Sequence, residues 1–392
     1  MVGYIRSDFW SRSAMTGAQR LWLLTLLWWG CARPGLARGD SVEPASRPTN
    51  VVAYLPEWRY EGANWDVISA HTTHLILFSL EMSANGRITA LDRVPRPVLL
   101  AEARDAATRH GTKLLICFGG NGRSRGFSAM SRSPPARRRF IRQLRTLLDA
   151  HSLDGVDYNW EYPGYDFRRG YLPDDEVDAD YDGLMHLLRE TREAFPAGTI
   201  TLSYYPDGRQ ERLLVAGGAP KWVDVFTAMA YDSNNGPHST MQHFKDAAAS
   251  ALEIFPNASQ IAVGLPFYGR SLRTGDWKSY EDLVQATPGG LASGADQLGD
   301  QYFNGIDTIR RKVRHAVTSG IGGVMIWEVG QDCRVQAVTH GETIHVKTCP
   351  RGEDSSLLVA ISRELSSLAG VASGATETGE EDEVELGSEY EL

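Results

Sequence analysis

Asp157, Asn159 and Glu161 occupy every second position of LDGVDYNWEYPG, residues 153–164. On an extended strand this spacing turns all three side chains to one face. Carboxyl groups facing one way off an apolar strand are costly to desolvate unless they bond to one another or to a ligand, so the cluster is a candidate site. One protonated carboxyl, such as that of Glu161, ringed by aromatics suits general acid catalysis on a polar substrate with apolar ring faces, such as a sugar. A conventional glycosidase sets two carboxylates across the bond it cuts. The amide of Asn159 in the middle of the row is the oddity.

The elements that position this row read as one repeating pattern. Apolar runs rich in Val, Ile, Leu and aromatics predict strands at 51–56, 73–80, 113–119, 155–161, 199–205, 223–231, 260–266 and 322–327. Helical periodicity falls between and after them, at 98–110, 135–150, 178–194, 241–254, 305–319 and 355–368. Eight strands alternating with helices over about 320 residues is the arithmetic of an α/β fold of the (β/α)8, or TIM barrel, type. A doubly wound sheet would share the alternation, but no Gly-rich phosphate fingerprint follows the first strand. Polar and aromatic residues gather where such barrels keep their chemistry, at the C-terminal ends of the strands: Glu57, Trp58, Glu81, Gly119, Gly120, Glu161, Tyr231, Asp232, Tyr268, Trp327 and Glu328. The longest connection, 268–304, reads as a surface loop at the rim, with no second domain inside the body.

With 392 residues, 42% apolar and 23% charged, the chain is neither disordered nor a membrane bundle. Its one long apolar run, 21–30, follows Arg6, Arg12 and Arg20 and is too short to span a bilayer. Residues 1–37 therefore read as a signal peptide cleaved near Ala37, which directs the chain to the secretory lumen or outside the cell. The net charge of −9 is concentrated in Glu377, Glu380, Glu381, Asp382, Glu383, Glu385, Glu389 and Glu391. Residues 371–392 are read as a disordered acidic tail behind a nearly neutral body spanning 48–370. No basic stripe suggests nucleic acid, and no membrane contact is expected once the leader is gone. Of the cysteines beyond the leader, Cys333 and Cys349 are the plausible disulfide, and Cys117 reads as a buried free thiol. Asn257 opens an Asn-x-Ser sequon, a candidate glycosylation site. The histidines show no metal-ligand spacing, so neither metal nor cofactor is expected.

LDGVDYNWEYP resembles the DxxDxDxE strand-four signature of family 18 glycoside hydrolases, the chitinases and their relatives. VVAYLPEW, CFGG, AMAYD, GLPFYGRS and GGVMIWEVGQD resemble that family's first, third, sixth, seventh and eighth strands, in the right order from Asn50 to about Gly370. The resemblance implies retaining, substrate-assisted hydrolysis of β-1,4-linked N-acetylglucosamine, an exception to the two-carboxylate rule. It makes Glu161 the acid and then the base, and Asp157 a buried partner exchanging hydrogen bonds with position 159. Tyr231 and Asp232 would hold the acetamido group and sugar hydroxyls, and Trp327 would be the stacking floor. Met229, Tyr54, Tyr268 and Arg270 complete the implied substrate site, of a monomer acting on chitin or chitooligosaccharides. The 268–304 connection is too short for the large α+β lobe that many family members insert there, so the groove should be shallow.

Asn159 departs from the pattern, where active members usually carry Asp. Its oxygen still accepts a hydrogen bond, but the charge beside the developing cation is gone, a loss on the order of 3 kcal/mol. Without that neighbouring anion the pKa of Glu161 should also fall. Endo-β-N-acetylglucosaminidases of glycoside hydrolase family 85 resemble this Asn-x-Glu arrangement. Three readings follow: a chitinase-type endo-glycosidase of reduced activity, a chitinase-like lectin that binds without cutting, or an endo-β-N-acetylglucosaminidase acting on N-glycan cores. Trp58 and Trp277 suit sugar platforms and rim packing equally, Glu57, Glu81 and Glu328 read as solvated strand-end charges, and out-of-phase Asp154 reads as structural.

Overall fold

The computed structural model describes residues 49–374 apart from 234–235, 336–337, 341–342 and 346–347. Eight parallel strands form the barrel: β1 (Asn50–Pro56), β2 (His74–Met82), β3 (Lys113–Gly119), β4 (Gly155–Asn159), β5 (Thr199–Tyr204), β6 (Val225–Ala228), β7 (Ile261–Pro266) and β8 (Gly323–Trp327). Each pairs with its sequence neighbours, and β8 pairs with β1, which closes the sheet. Helices follow the strands in order: α1 (Trp65–Ala70), α2 (Pro97–His110), α3 (Pro134–His151), α4 (Asp174–Ala194), α5 (Arg209–Gly217), α6 (Met241–Ile254), α7 (Ile306–Thr318) and α8 (Leu357–Gly374). Proline in the first turn of α2 and α3 needs no amide partner there, and Thr240 caps α6 by accepting the amide of His243.

The strands read as unbroken apolar runs because both faces are covered. Outward residues such as Leu75, Leu77, Val156, Tyr158, Ile200 and Leu202 pack on the helices in one large cluster. Inward residues, among them Val52, Tyr54, Ile76, Leu115, Cys117, Val225 and Met325, fill the barrel as a second, smaller cluster. Asp154 closes the bottom of this wall, accepting the amide of Leu114 and a guanidinium N–H of Arg104.

Several elements differ from the sequence reading. The 268–304 connection is no bare loop: Tyr268–Ser271, Trp277–Ser279, Gln297–Leu298 and Gln301–Tyr302 form a four-stranded antiparallel sheet, with helix Tyr280–Gln285 beside it. Strands of two to four residues are too short to show alternation. A two-stranded hairpin, Tyr165–Asp166 with Gly170–Tyr171, follows β4 and escaped notice for the same reason. The helices α1 and α5, of six and nine residues, carry too few turns to show a period. Strand β4 stops at Asn159, so Glu161 lies just beyond it. Cys333 and Cys349 are joined by a disulfide, and Cys117 is buried and free. The leader 1–37 lies outside the described residues, as does the acidic tail beyond 374; α8 itself runs into the first residues assigned to that tail. No helix among the described residues is long and apolar enough to cross a membrane.

Candidate active site

The mouth of the barrel is built by the C-terminal ends of the strands. On β4 the period of two turns Val156 and Tyr158 to the helices and Asp157 and Asn159 inward, all four buried. The chain after β3 approaches β4 closely. Gly120 donates its amide to the Asn159 carbonyl at 2.7 Å, and the Glu161 amide donates to Ser124 Oγ at 3.1 Å. Side chains have no room in this contact: a Cβ on Gly119 would sit 2.2 Å from the Asn159 carbonyl oxygen, and one on Gly120 2.3 Å from the Phe78 ring.

Asp157 is fully buried, and its Oδ1 accepts hydrogen bonds from Thr201 Oγ1 at 2.6 Å and Tyr54 OH at 3.0 Å. Burial raises its pKa, while Thr201, the Cys117 thiol and Tyr54 hold it down. Its partners therefore come from β1, β3 and β5, and the expected exchange with position 159 is not made. The physical reason is chemical: the Asn159 amide is turned so that it donates to Glu161, and its buried Oδ1 has no partner among the described residues. An amide oxygen has no proton to give a carboxylate. Cys117, the buried free thiol, faces this carboxylate across the β3–β4 register.

Glu161 has its pKa raised to about 7 by exclusion of water; the Asn159 hydrogen bond lowers it and the Asp232 charge raises it. Asp232 stands in a left-handed backbone conformation at φ 59° and accepts from Arg270 Nε at 2.6 Å and Tyr268 OH at 2.7 Å. Burial pushes its pKa up, but His238, Arg270 and Tyr268 overcome this and hold it at about 2. Asp232 is thus an anion across neutral pH, and Glu161 is poised to gain or lose a proton there. Tyr231 is buried, its hydroxyl turned among the described residues to Met325 Sδ at 3.7 Å, a weak partner. Trp327 at the end of β8 meets Phe78 edge-on at 4.7 Å and lies tilted against Tyr54 at 5.6 Å between centroids.

A cavity of about 400 Å³ gathers Tyr54, Asn159, Glu161, Met229, Tyr231 and Asp232. Tyr268, Arg270 and Trp327 complete its wall, and Asp157 lies beneath it. Trp58 and Trp277, both more than half exposed, line its rim. A second cavity of about 800 Å³ shares Glu161, Tyr162, Tyr205, Asp232 and Arg270 with the first. Phe78 and Ser203 also face the first cavity and were missed, although the period of two on β2 and β5 carries that signal. Arg123, held by Glu57 at 2.6 Å and lying over the Trp58 and Phe78 rings, had no local signal.

Glu328 corrects the sequence reading most clearly. It is fully buried, accepting from Arg59 Nε at 3.0 Å; Arg59 also pairs with Glu281 at 2.9 Å, and Glu281 with Arg334 at 3.0 Å. Burial raises its pKa and Arg59 opposes the rise. Arg59 lies 269 positions from Glu328 and 222 from Glu281, so the sequence around Glu328 carried no trace of this network. Among the described residues no group of His, Cys, Asp and Glu is arranged to hold a metal ion.

The chain is similar to "Probable chitinase 10" of Drosophila melanogaster, 24% identical over 291 residues that cover 58% of this chain and 12% of that protein. "Endochitinase 1" of Metarhizium robertsii is 23% identical over 359 residues, 71% of this chain and 80% of the relative. The fold is shared with the GH18 chitinase ChiB of Flavobacterium johnsoniae at a TM-score of 0.64 and 21% identity, covering 82% of this chain and 96% of that one. The model of glycosyl hydrolases family 18 matches residues 50–332, from β1 through the turn after β8, and the chain belongs to that family.

Proposed function

We propose that the protein is a retaining glycosidase that cuts β-1,4-linked N-acetylglucosamine chains by substrate assistance. The observation that carries this reading is Glu161, a carboxyl held near neutral pKa where the two cavities meet, with an aromatic floor on one side. Glu161 gives its proton to the glycosidic oxygen, and the bond from that oxygen to the anomeric carbon breaks. The acetamido oxygen of the same sugar attacks the anomeric carbon, since the neighbouring carboxylates are engaged: Asp157 by Tyr54 and Thr201, Asp232 by Tyr268 and Arg270. The Asn159 Oδ1, buried and without a partner among the described residues, accepts the acetamido N–H, and the Tyr231 hydroxyl donates to the acetamido oxygen. Water then adds to the anomeric carbon, giving its proton to the Glu161 carboxylate and opening the oxazolinium with net retention.

The same reading makes chitin or chitooligosaccharides the substrate of a secreted monomer, with a glycan on Asn257, whose side chain opens an exposed turn. The missing charge at Asn159 favours one alternative, a lectin that binds the chain without cutting it. Incubation with chitohexaose and with an N-glycoprotein, analysed by mass, separates the readings. The parent protein is expected to cut chitohexaose, and Glu161→Gln to cut it about a thousandfold more slowly. Cleavage of the glycoprotein alone identifies a glycan-core enzyme, and binding of chitohexaose with cleavage of neither substrate identifies the lectin.

A further inference from the structure

The second cavity is not needed to hold the reacting sugar, and its outer wall is an element that the catalytic reading leaves without a task. Glu161 lies on the wall common to both cavities, whereas Trp327, the floor for the reacting sugar, lines only the first. The oxygen that Glu161 protonates therefore sits at the boundary, and the group that leaves occupies the second cavity. That cavity is about twice as large, 800 against 400 Å³.

Its outer wall is the hairpin 165–171. Tyr165 and Phe167 stand with Tyr162, the residue after the acid, in a cluster with centroids 5.7 to 5.8 Å apart. Tyr171 extends it, 5.2 Å from Tyr165. The hairpin is fastened from behind: Tyr171 OH donates to Asp207 at 2.5 Å, the Arg209 guanidinium lies 4.3 Å over the Tyr171 ring, and Leu172 donates its amide to the Gly164 carbonyl at 2.9 Å. Phe167 is nevertheless 60% exposed at the tip. Among the described residues the exposed tryptophan and phenylalanine rings are Trp58, Trp277 and Phe167; the first two line the first cavity and Phe167 the second. Apolar rings kept out of the core and gathered along one cleft are suited to cover the apolar faces of sugars.

We propose that the hairpin 165–171 clamps the leaving-group side of the substrate, so that the protein is selective for chains with two or more N-acetylglucosamine units beyond the scissile bond. The inference rests on the glycosidase reading only for the direction of cleavage; the clamp itself is a binding surface. Because Tyr162 joins the clamp to the acid in sequence and in space, filling the clamp also steadies the acid against the bond it protonates.

The test compares chitohexaose with 4-nitrophenyl chitobioside, whose small leaving group does not reach the hairpin. In Phe167→Ala the ratio of kcat/KM for chitohexaose to that for the nitrophenyl substrate should fall about tenfold, the order expected for one aromatic contact. Phe167→Tyr should restore it, and Leu252→Ala, an exposed apolar residue on α6, should leave it unchanged. Binding of chitohexaose by Glu161→Gln, with and without Phe167→Ala, reads the clamp independently of catalysis. A ratio unmoved by Phe167→Ala, or binding that Phe167→Ala does not weaken, overturns the clamp. Weakened binding in a parent protein that cuts neither substrate sinks the hydrolase reading and leaves the clamp standing.

Discussion

Glu161 and Asn159 form one chemical unit. An acid that must deliver a proton works only while it is protonated, and burial holds the Glu161 pKa at about 7 even though the Asn159 amide donates to it. Activity should therefore fall as pH rises through about 7. Asn159→Asp replaces a donor that lowers this pKa with a like charge that raises it, and restores an anion beside the developing cation. We expect turnover to rise by as much as about a hundredfold and the basic limb to move up by roughly one unit. A pH–rate profile with an unchanged basic limb and no gain in turnover would refute this coupling. The row Asp157, Asn159, Glu161 was legible because a strand's period of two is local. Its hydrogen bonds were not, since Tyr54 reaches Asp157 across 103 positions and Thr201 across 44.

The Gly119-Gly120 turn after β3 is an element whose fit to β4 is testable. Both glycines have φ near 100°, and a methyl group on Gly120 would press into Phe78, the ring that meets Trp327 edge-on. Gly120→Ala should cost about 2–4 kcal/mol from strain and overpacking together. Gly122→Ala has a positive φ as well but no atom within 4 Å of the added methyl, so about 1 kcal/mol is expected. Denaturation midpoints compare the two variants directly, and equal losses would show that crowding against Phe78 does not matter. The eight strands were legible at this level from apolar runs alone. The hairpin 165–171 and the small sheet over 268–304 were not, because their strands are stabilised by neighbours and are too short to display a pattern.

The barrel as a whole is secured on the β8 side by contacts between distant segments. The Cys333–Cys349 disulfide closes a loop of 16 positions, and Arg334 beside it donates to Glu281, which Arg59 links to Glu328 next to Trp327. Loop closure of this length is worth about 3 kcal/mol in the chain-entropy account. Replacing both cysteines by serine should lower stability by that order and raise KM for chitohexaose, because the loop carrying Arg334 no longer steadies the network under the floor. An unchanged melting temperature would show that the loop contributes nothing to the body. Burial elsewhere creates tensions of its own: Lys312 is fully buried, bonded to Ser239 and Asn304, and its pKa is lowered to about 7 by burial.

What the amino-acid sequence determined by itself was the part of the protein written in short-range patterns: apolar runs that must become buried strands, helical spacing between them, the period of two that aligns 157, 159 and 161, and strand-end motifs in family order. These depend on residues a few positions apart, where backbone geometry dictates which side chains share a face. The tertiary structure alone decided that Asp157 bonds to Tyr54 and Thr201 and not to Asn159, that Glu328 is buried against Arg59, and that an aromatic hairpin walls the second cavity. It also decided the proton affinity of Glu161. Each of these follows from closing the barrel, which brings distant segments together and takes water away. Desolvation and long-range hydrogen bonds belong to the assembled mouth and to no single stretch of chain.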